Sequence, residues 1–335
     1  MVKHIILMHG RAIKPADAVL RELAIRALEE GVRRAGGAGL VDAAGKKAKI
    51  SSAYFGDISN DILARSAKVV AKLTDTDPAH ANKPCFPRAP LDRGFELTTT
   101  FRKFDKAQYQ KVLADASDRR WLDEAADWAS SLAGLLTGGF LNLLGINIAT
   151  EDLGAYLISH WVGSDIRGRL DDILQPALAR KDDVCLITHS MGCMVAYDLM
   201  WKYAHTREYA DFRAKQRKVA KWITIGNPLG EIGVRRNLLD GRYAEDEKYP
   251  SHQIEAWTNI FAEDDYIAHV AKLAPEFKST PRTGLPKIVD KKIYNCWVYE
   301  DLDQNDRLTS NPHDLYGYLM SAATAQEVMD WLGKP

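Results

Sequence analysis

Cysteine is scarce in this chain: Cys85, Cys185, Cys193 and Cys296 are the only four among 335 residues. Four cannot build a disulfide framework for a chain of this length. Cys185 lies in an apolar run and Cys193 just past an expected turn, so both read as small buried hydrophobes. There is no C-x-x-C pair and no H-E-x-x-H, so no metal site of standard spacing is expected. A glycine-rich phosphate loop is missing too, and no cofactor is expected. Nor does charge of one sign prevail. Lys plus Arg and Asp plus Glu number 45 each, for a formal net charge of zero, which removes any long-range pull toward nucleic acid or an anionic membrane. No internal repeat is visible. The first eight residues hold one lysine and too short an apolar stretch for a secretory signal, so a cytoplasmic location is expected. Oligomeric state is not legible.

What is there is an ordinary globular composition, 46% hydrophobic and 27% charged, in a chain long enough to bury a large core. Short apolar, β-rich runs at 4–9, 49–55, 184–188, 220–225, 254–261 and 292–299 alternate with helical patterns at 15–35, 166–179, 191–204 and 322–332. Such alternation predicts an α/β fold, a mostly parallel sheet flanked by helices. One interval breaks the rhythm. Roughly 130 residues separate the second strand from the third, against ~10–30 for an ordinary crossover. Within it, 75–90 reads as loop. The stretch from Trp128 to Thr150 is twenty-three residues without a charge. Its length fits a membrane span of ~20 residues, but four glycines dilute it, and buried helices broken at Gly138-Gly139 fit it better. A sharper reading makes it a lid whose apolar face lines an acyl pocket or touches lipid. The expected organisation is a core from 1–74, a largely helical cap or lid insertion at 75–164, and the rest of the core at 165–335.

The strongest local motif is Thr188-His189-Ser190-Met191-Gly192-Cys193 after the apolar Val184–Ile187 run. A sharp strand-to-helix turn would lift the Ser190 hydroxyl out of the sheet. The Met191 N–H, at the helix start, could then bind an oxyanion. Gly192 supplies the small residue that close strand–helix approach requires; Thr188 stands where glycine is usual. An ordinary helix with Ser190 as N-cap would carry the same residues. The first strand runs into His9-Gly10-Arg11, where Gly10 permits the backbone to come close to a bound group. The fifth strand runs into Glu263-Asp264-Asp265, an acidic loop in which Asp264 and Asp265 are both candidates. His313 precedes the last helices. The order Ser190, acid, His313 is that of a nucleophile, acid and base placed at strand ends. His9 and His189 read as structural, and Asp314 as a helix cap.

On these residues, with Ile225-Gly226-Asn227-Pro228-Leu229, the chain resembles the α/β-hydrolase family, and within it bacterial lipase-like serine esterases, over 1 to about 74 and about 165 to 335. The resemblance implies an α/β-hydrolase fold. It favours Asp265 over Asp264, because an acidic loop followed by Asp-x-Ile-Ala matches the family pattern. It implies a triad of Ser190, His313 and Asp265, oxyanion donors at the Met191 and Arg11 N–H groups, and hydrolysis of a small-molecule carboxylic ester or lipid through an acyl-enzyme. Amidase, thioesterase or phospholipase chemistry would use the same groups, and a non-catalytic binding or scaffold protein is the alternative of another class. Membrane contact without a transmembrane segment fits the apolar run.

Overall fold

Four runs, KHIILM, DVCLITH, KWITI and WTNIFA, are apolar and β-branched along most of their length, the pattern of strands covered on both faces. The computed structural model describes residues 1–335 apart from 66, 116–150, 245–246, 269, 302–306 and 335. Residues 128–150 therefore lie outside the described residues. In chain order the principal elements are β1 (Lys3–Met8), α1 (Asp17–Arg34), β2 (Lys49–Ala53), α2 (Gly56–Leu63), β3 (Asp75–Asp77), β4 (Lys83–Cys85), α3 (Arg88–Thr99), α4 (Lys106–Asp115), α5 (Glu151–Ile158), α6 (His160–Ala179), β5 (Asp183–His189), α7 (Met191–His205), β6 (Lys221–Ile225), β7 (Trp257–Ala262), β8 (Ile288–Ile293), β9 (Val298–Asp301), β10 (Arg307–Ser310), α8 (Leu315–Leu319) and α9 (Ala322–Leu332).

The four apolar runs form the middle of a six-stranded sheet in the order β2-β1-β5-β6-β7-β8, parallel at every pairing. Its edges are the strands with charges and hydroxyls, β2 with Lys49, Ser51 and Ser52 and β8 with Asp290, Lys291 and Lys292. Polar edges discourage pairing with another chain. Alternation along β1 splits the core in two. Ile6 and Met8 join Leu170, Leu174 and Met194 on the face covered by α6 and α7. Ile5 and Leu7 join Leu23, Leu28 and Val328 on the face covered by α1 and α9. The protein is thus an α/β structure with a parallel sheet flanked by helices. Trp222 and Trp257 stack at 4.2 Å between ring centres, each donating its indole N–H to a threonine hydroxyl, Thr188 at 3.0 Å and Thr224 at 3.1 Å.

Two sequence expectations need correction. The run 292–299 is not one strand. β8 ends at Ile293, and β9 pairs antiparallel with β10 in a separate ladder. Asn295 causes the break: its side chain accepts from the Trp297 N–H at 3.1 Å and donates to the Pro312 and Asp314 carbonyls at 3.0 and 2.9 Å. Satisfying a side chain this way turns the backbone out of the sheet. The stretch 75–90 is not all loop, since β3 and β4 form a short antiparallel ladder. Asp77 secures it by accepting from the Asp17 N–H at 3.0 Å. Helix α6 starts at His160, with Ser159 as N-cap. Among the described residues, no helix is long and apolar enough to cross a membrane.

Candidate active site

Strand β5 ends at His189 and helix α7 begins at Met191, leaving a single residue to make the turn. That residue, Ser190, has φ 52° and ψ −125°, a conformation that L-residues avoid and that costs ~1–3 kcal/mol. Its neighbours hold it there. The Ser190 N–H donates to the Ile225 carbonyl at 3.1 Å. A Cβ on Gly192 would lie 2.5 Å from the His9 carbonyl oxygen, and one on Gly10 would lie 2.7 Å from the Ser190 Cβ. Both positions therefore require glycine for the chains to cross this closely. Thr188, where a small residue was expected, has a packing reason. Its hydroxyl accepts from Trp222 and donates to the Cys193 sulfur at 3.2 Å, and it is fully buried.

His313 reaches the same place from the far end of the chain. Its Nδ1 lies 3.0 and 2.9 Å from the two carboxylate oxygens of Asp265. Because an ionised carboxylate only accepts, Nδ1 carries the proton and Nε2 is left with a lone pair. Gly226, one residue past β6, sits under the ring, and a Cβ there would come within 3.0 Å of its Cε1. Four buried side-chain atoms in these strand-end turns have no hydrogen-bond partner among the described residues: Ser190 Oγ, His313 Nε2, His189 Nδ1 and Asn227 Nδ2. Buried orphans are rare enough that a cluster of them calls for a functional reason. The Ser190 hydroxyl and His313 Nε2 do not bond each other here; such contacts commonly tighten only when substrate is bound.

The neighbouring acids part company. Asp265 is buried and its carboxylate also accepts from the Tyr318 hydroxyl at 2.6 Å and from the Ile267 and Ala268 N–H groups at 3.1 and 3.2 Å. Asp264 is exposed, in a left-handed conformation (φ 60°), and accepts from the Tyr109 hydroxyl at 3.1 Å on α4. Burial and the Asp265 charge push the Tyr318 phenol well above its ordinary pKa, so it remains a donor. Its oxygen also accepts from the Ala262 N–H at 2.8 Å, which locks the acid to the end of β7. Asp314 caps α8 by accepting from the Tyr316 N–H at 2.7 Å, and burial raises it to about 6.

The two histidines nearest these groups in sequence are tied up elsewhere. His9 Nε2 accepts from the Phe55 N–H at 3.0 Å, so Nδ1 holds the proton and donates to the Gly10 carbonyl at 2.7 Å. Burial, with Lys14 nearby, drops its pKa to about 3. His189 donates from Nε2 to the His313 carbonyl at 2.8 Å and lies 4.7 Å from the His313 ring centre. Burial and the neighbouring His313 keep it well below the ordinary value and hence neutral. His269 lies outside the described residues. The Met191 N–H is in the first turn of α7, where helix amides lack an intrahelical acceptor. Arg11 follows Gly10, which touches Ser190. Its loop is bonded to Asp152.

The structure therefore brings Ser190, His313, Asp265, Met191 and the Gly10-Arg11 loop to the C-terminal edge of the sheet and sends Asp264 away. Sequence reading gave no role to Tyr318 or Asp152. A tyrosine buried in a terminal helix needs a partner for its hydroxyl, which is a usable hint. Asp152, beside a charge-free run, gives no local hint. Among the described residues, no group of three or more His, Cys, Asp or Glu side chains is arranged to hold a metal ion. No family model, no curated protein and no solved structure matches the chain.

Proposed function

We propose that this protein is a serine hydrolase of the α/β-hydrolase kind that cleaves carboxylic esters. The observation that carries the reading is the strained Ser190 turn with a buried, unpartnered hydroxyl at the strand edge where a histidine–carboxylate pair also presents an unpartnered ring nitrogen. In the proposed reaction, His313 Nε2 takes the Ser190 proton as Oγ attacks the ester carbonyl. Asp265 holds the tautomer and stabilises the imidazolium. The tetrahedral oxyanion receives the Met191 and Arg11 N–H groups, each such donor being worth ~3 kcal/mol. Collapse breaks the carbon–oxygen bond, and His313 gives its proton to the leaving alcohol. Water, deprotonated by His313, then releases the acid and regenerates Ser190. The chemistry calls for no cofactor. The uncharged sequence between Trp128 and Thr150 tilts the substrate toward medium or longer acyl chains, including lipid esters at a membrane surface, in a cytoplasmic protein.

Intact-mass measurement after treatment with a small fluorophosphonate tests this. One adduct on wild type and none on Ser190→Ala is the expected result, and an ester chain-length series beside an amide and a thioester then defines the substrate. A folded wild type that takes no adduct and turns over none of these would overturn the reading in favour of a non-catalytic binding or scaffold protein.

A further inference from the structure

The loop that follows β1 is held by a carboxylate from a distant part of the chain. Asp152, the second residue of α5, is fully buried. Its Oδ2 accepts from the Ala12 N–H at 2.8 Å. Its Oδ1 accepts from the Arg11 Nε at 3.2 Å and from the Leu153 N–H at 3.0 Å. Two of these donors belong to residues 140 and 141 positions away. Ala12 itself is left-handed, with φ 71°, a conformation costing an alanine ~1–2 kcal/mol, so an external contact must hold it. Lys14 reinforces the turn from its other side, donating to the Arg11 and Ile13 carbonyls.

Helix α5 is itself fixed to the helix that begins at the nucleophile. The Tyr156 hydroxyl donates to the Asp198 carboxylate of α7 at 2.6 Å, and the other oxygen of Asp198 accepts from the Leu239 N–H at 2.9 Å. Leu153 and Tyr156 are buried in the same core as Met191 and Met194. A continuous brace thus runs from the Arg11-Ala12 loop through Asp152 and Tyr156 to α7, whose first amide is Met191. It ties together the two stretches of backbone that carry the proposed oxyanion donors.

We infer that Asp152 is the positioning residue of the oxyanion loop: by bonding Ala12 and Arg11 it fixes the Gly10–Ala12 backbone so that the Arg11 N–H meets the developing oxyanion. The inference rests on the serine-hydrolase reading above and extends it to a residue that never touches substrate. Pre-organised donors stabilise a transition state because their geometry needs no reorganisation during reaction.

The test compares wild type, Asp152→Ala and Asp152→Asn by kcat and KM on a short-chain aryl ester, by inhibition with a trifluoromethyl ketone and by thermal melting. The ketone's adduct with Ser190 carries the same oxyanion as the tetrahedral intermediate. Asp152→Ala is expected to lower kcat ~100-fold and to weaken the ketone by a similar factor, with KM within ~3-fold. Asp152→Asn, which keeps one acceptor for Ala12, should fall between. A folded Asp152→Ala that keeps kcat and ketone affinity within ~3-fold of wild type overturns the inference, even if its melting temperature drops. Should Asp152→Ala fail to fold, Asp152→Asn decides by the same ratios. A wild type that neither turns over nor takes the fluorophosphonate would instead overturn the hydrolase reading, and the inference with it.

Discussion

The two ends of the central sheet treat buried polar groups in opposite ways. At the N-terminal edge Lys3, His4, Asp183 and Glu327 are all paired. Lys3 donates to Asp183 at 2.6 Å and to the Trp331 carbonyl at 3.1 Å, and the Trp331 indole donates to Asp183 at 2.9 Å. His4 bonds Ser51 at 2.9 Å and faces Asp182 at 3.3 Å. Glu327 takes Lys221, Lys291 and the Thr258 hydroxyl. At the C-terminal edge Ser190 Oγ, His313 Nε2, His189 Nδ1 and Asn227 Nδ2 have no partner among the described residues, and the backbone at Ser190 is strained. Paired groups at one end hold the sheet to its helices. The orphans and strain at the other end cost stability, which a fold retains where chemistry needs it. The comparison teaches where substitutions should affect activity and where they should affect folding.

The sharpest break of that contrast lies in the acid loop. Asp265→Asn should lower kcat by about 10⁴-fold, because the imidazole loses the partner that fixes its tautomer. Asp264→Asn, at a carboxylate bonded to Tyr109 on the outside, should stay within ~3-fold of wild type. Ester hydrolysis by both variants, with circular dichroism to check folding, decides it, and equal mild effects would remove Asp265 from the site.

At the other end the expected loss is of stability. Glu327→Ala removes the carboxylate shared by Lys221, Lys291 and Thr258, leaving Lys221 only the Thr258 hydroxyl as acceptor, and should cost about 3 kcal/mol in urea unfolding. The turnover of the folded protein should remain within ~2-fold. Lost turnover without lost stability would mean that the two ends are not separate.

A smaller effect distinguishes the ends by pH. Burial lifts the Glu327 carboxyl more than any single contact lowers it, but the hydrogen bonds from Lys221, Lys291 and Thr258 and the Lys221 charge together bring it down to about 2 from 4.5. Its contribution is therefore complete above pH 4.5 and is lost only as pH falls toward 2. His9 behaves differently. With a folded pKa of about 3 against 6.5, the unfolded chain binds more protons between those values, so stability falls as pH drops below 6.5. At up to ~1.4 kcal/mol per pH unit, His9 should cost about 2 kcal/mol between pH 6.5 and 5. His4 and His189, also lowered by burial, add with the same sign. Unfolding midpoints of wild type and His9→Gln across this range provide the check. Parallel slopes would refute the assignment to His9.

Much of this site is written locally. The Thr188–Cys193 motif, the His9-Gly10 pair after the first strand and the order of serine, acid and histidine were legible because strand, turn and helix each leave a short-range pattern. The parallel layout with helices on both faces follows from the same periodicities. The break at Asn295 was not legible, because an apolar run continues through it and the side-chain bonds that bend it come from residues 312 and 314.

Local pattern was thus enough for the strands β1, β2, β5, β6 and β7 and for the small residues that permit close crossing at Ser190. These depend on neighbours a few positions apart. Only the tertiary structure decided that Asp265 faces His313 while Asp264 faces Tyr109, that Tyr318 buttresses the acid, and that Asp152 holds the Arg11 loop. Those choices rest on the directions of side chains brought together across 48 to 155 residues of chain, and no local periodicity encodes a direction at that range.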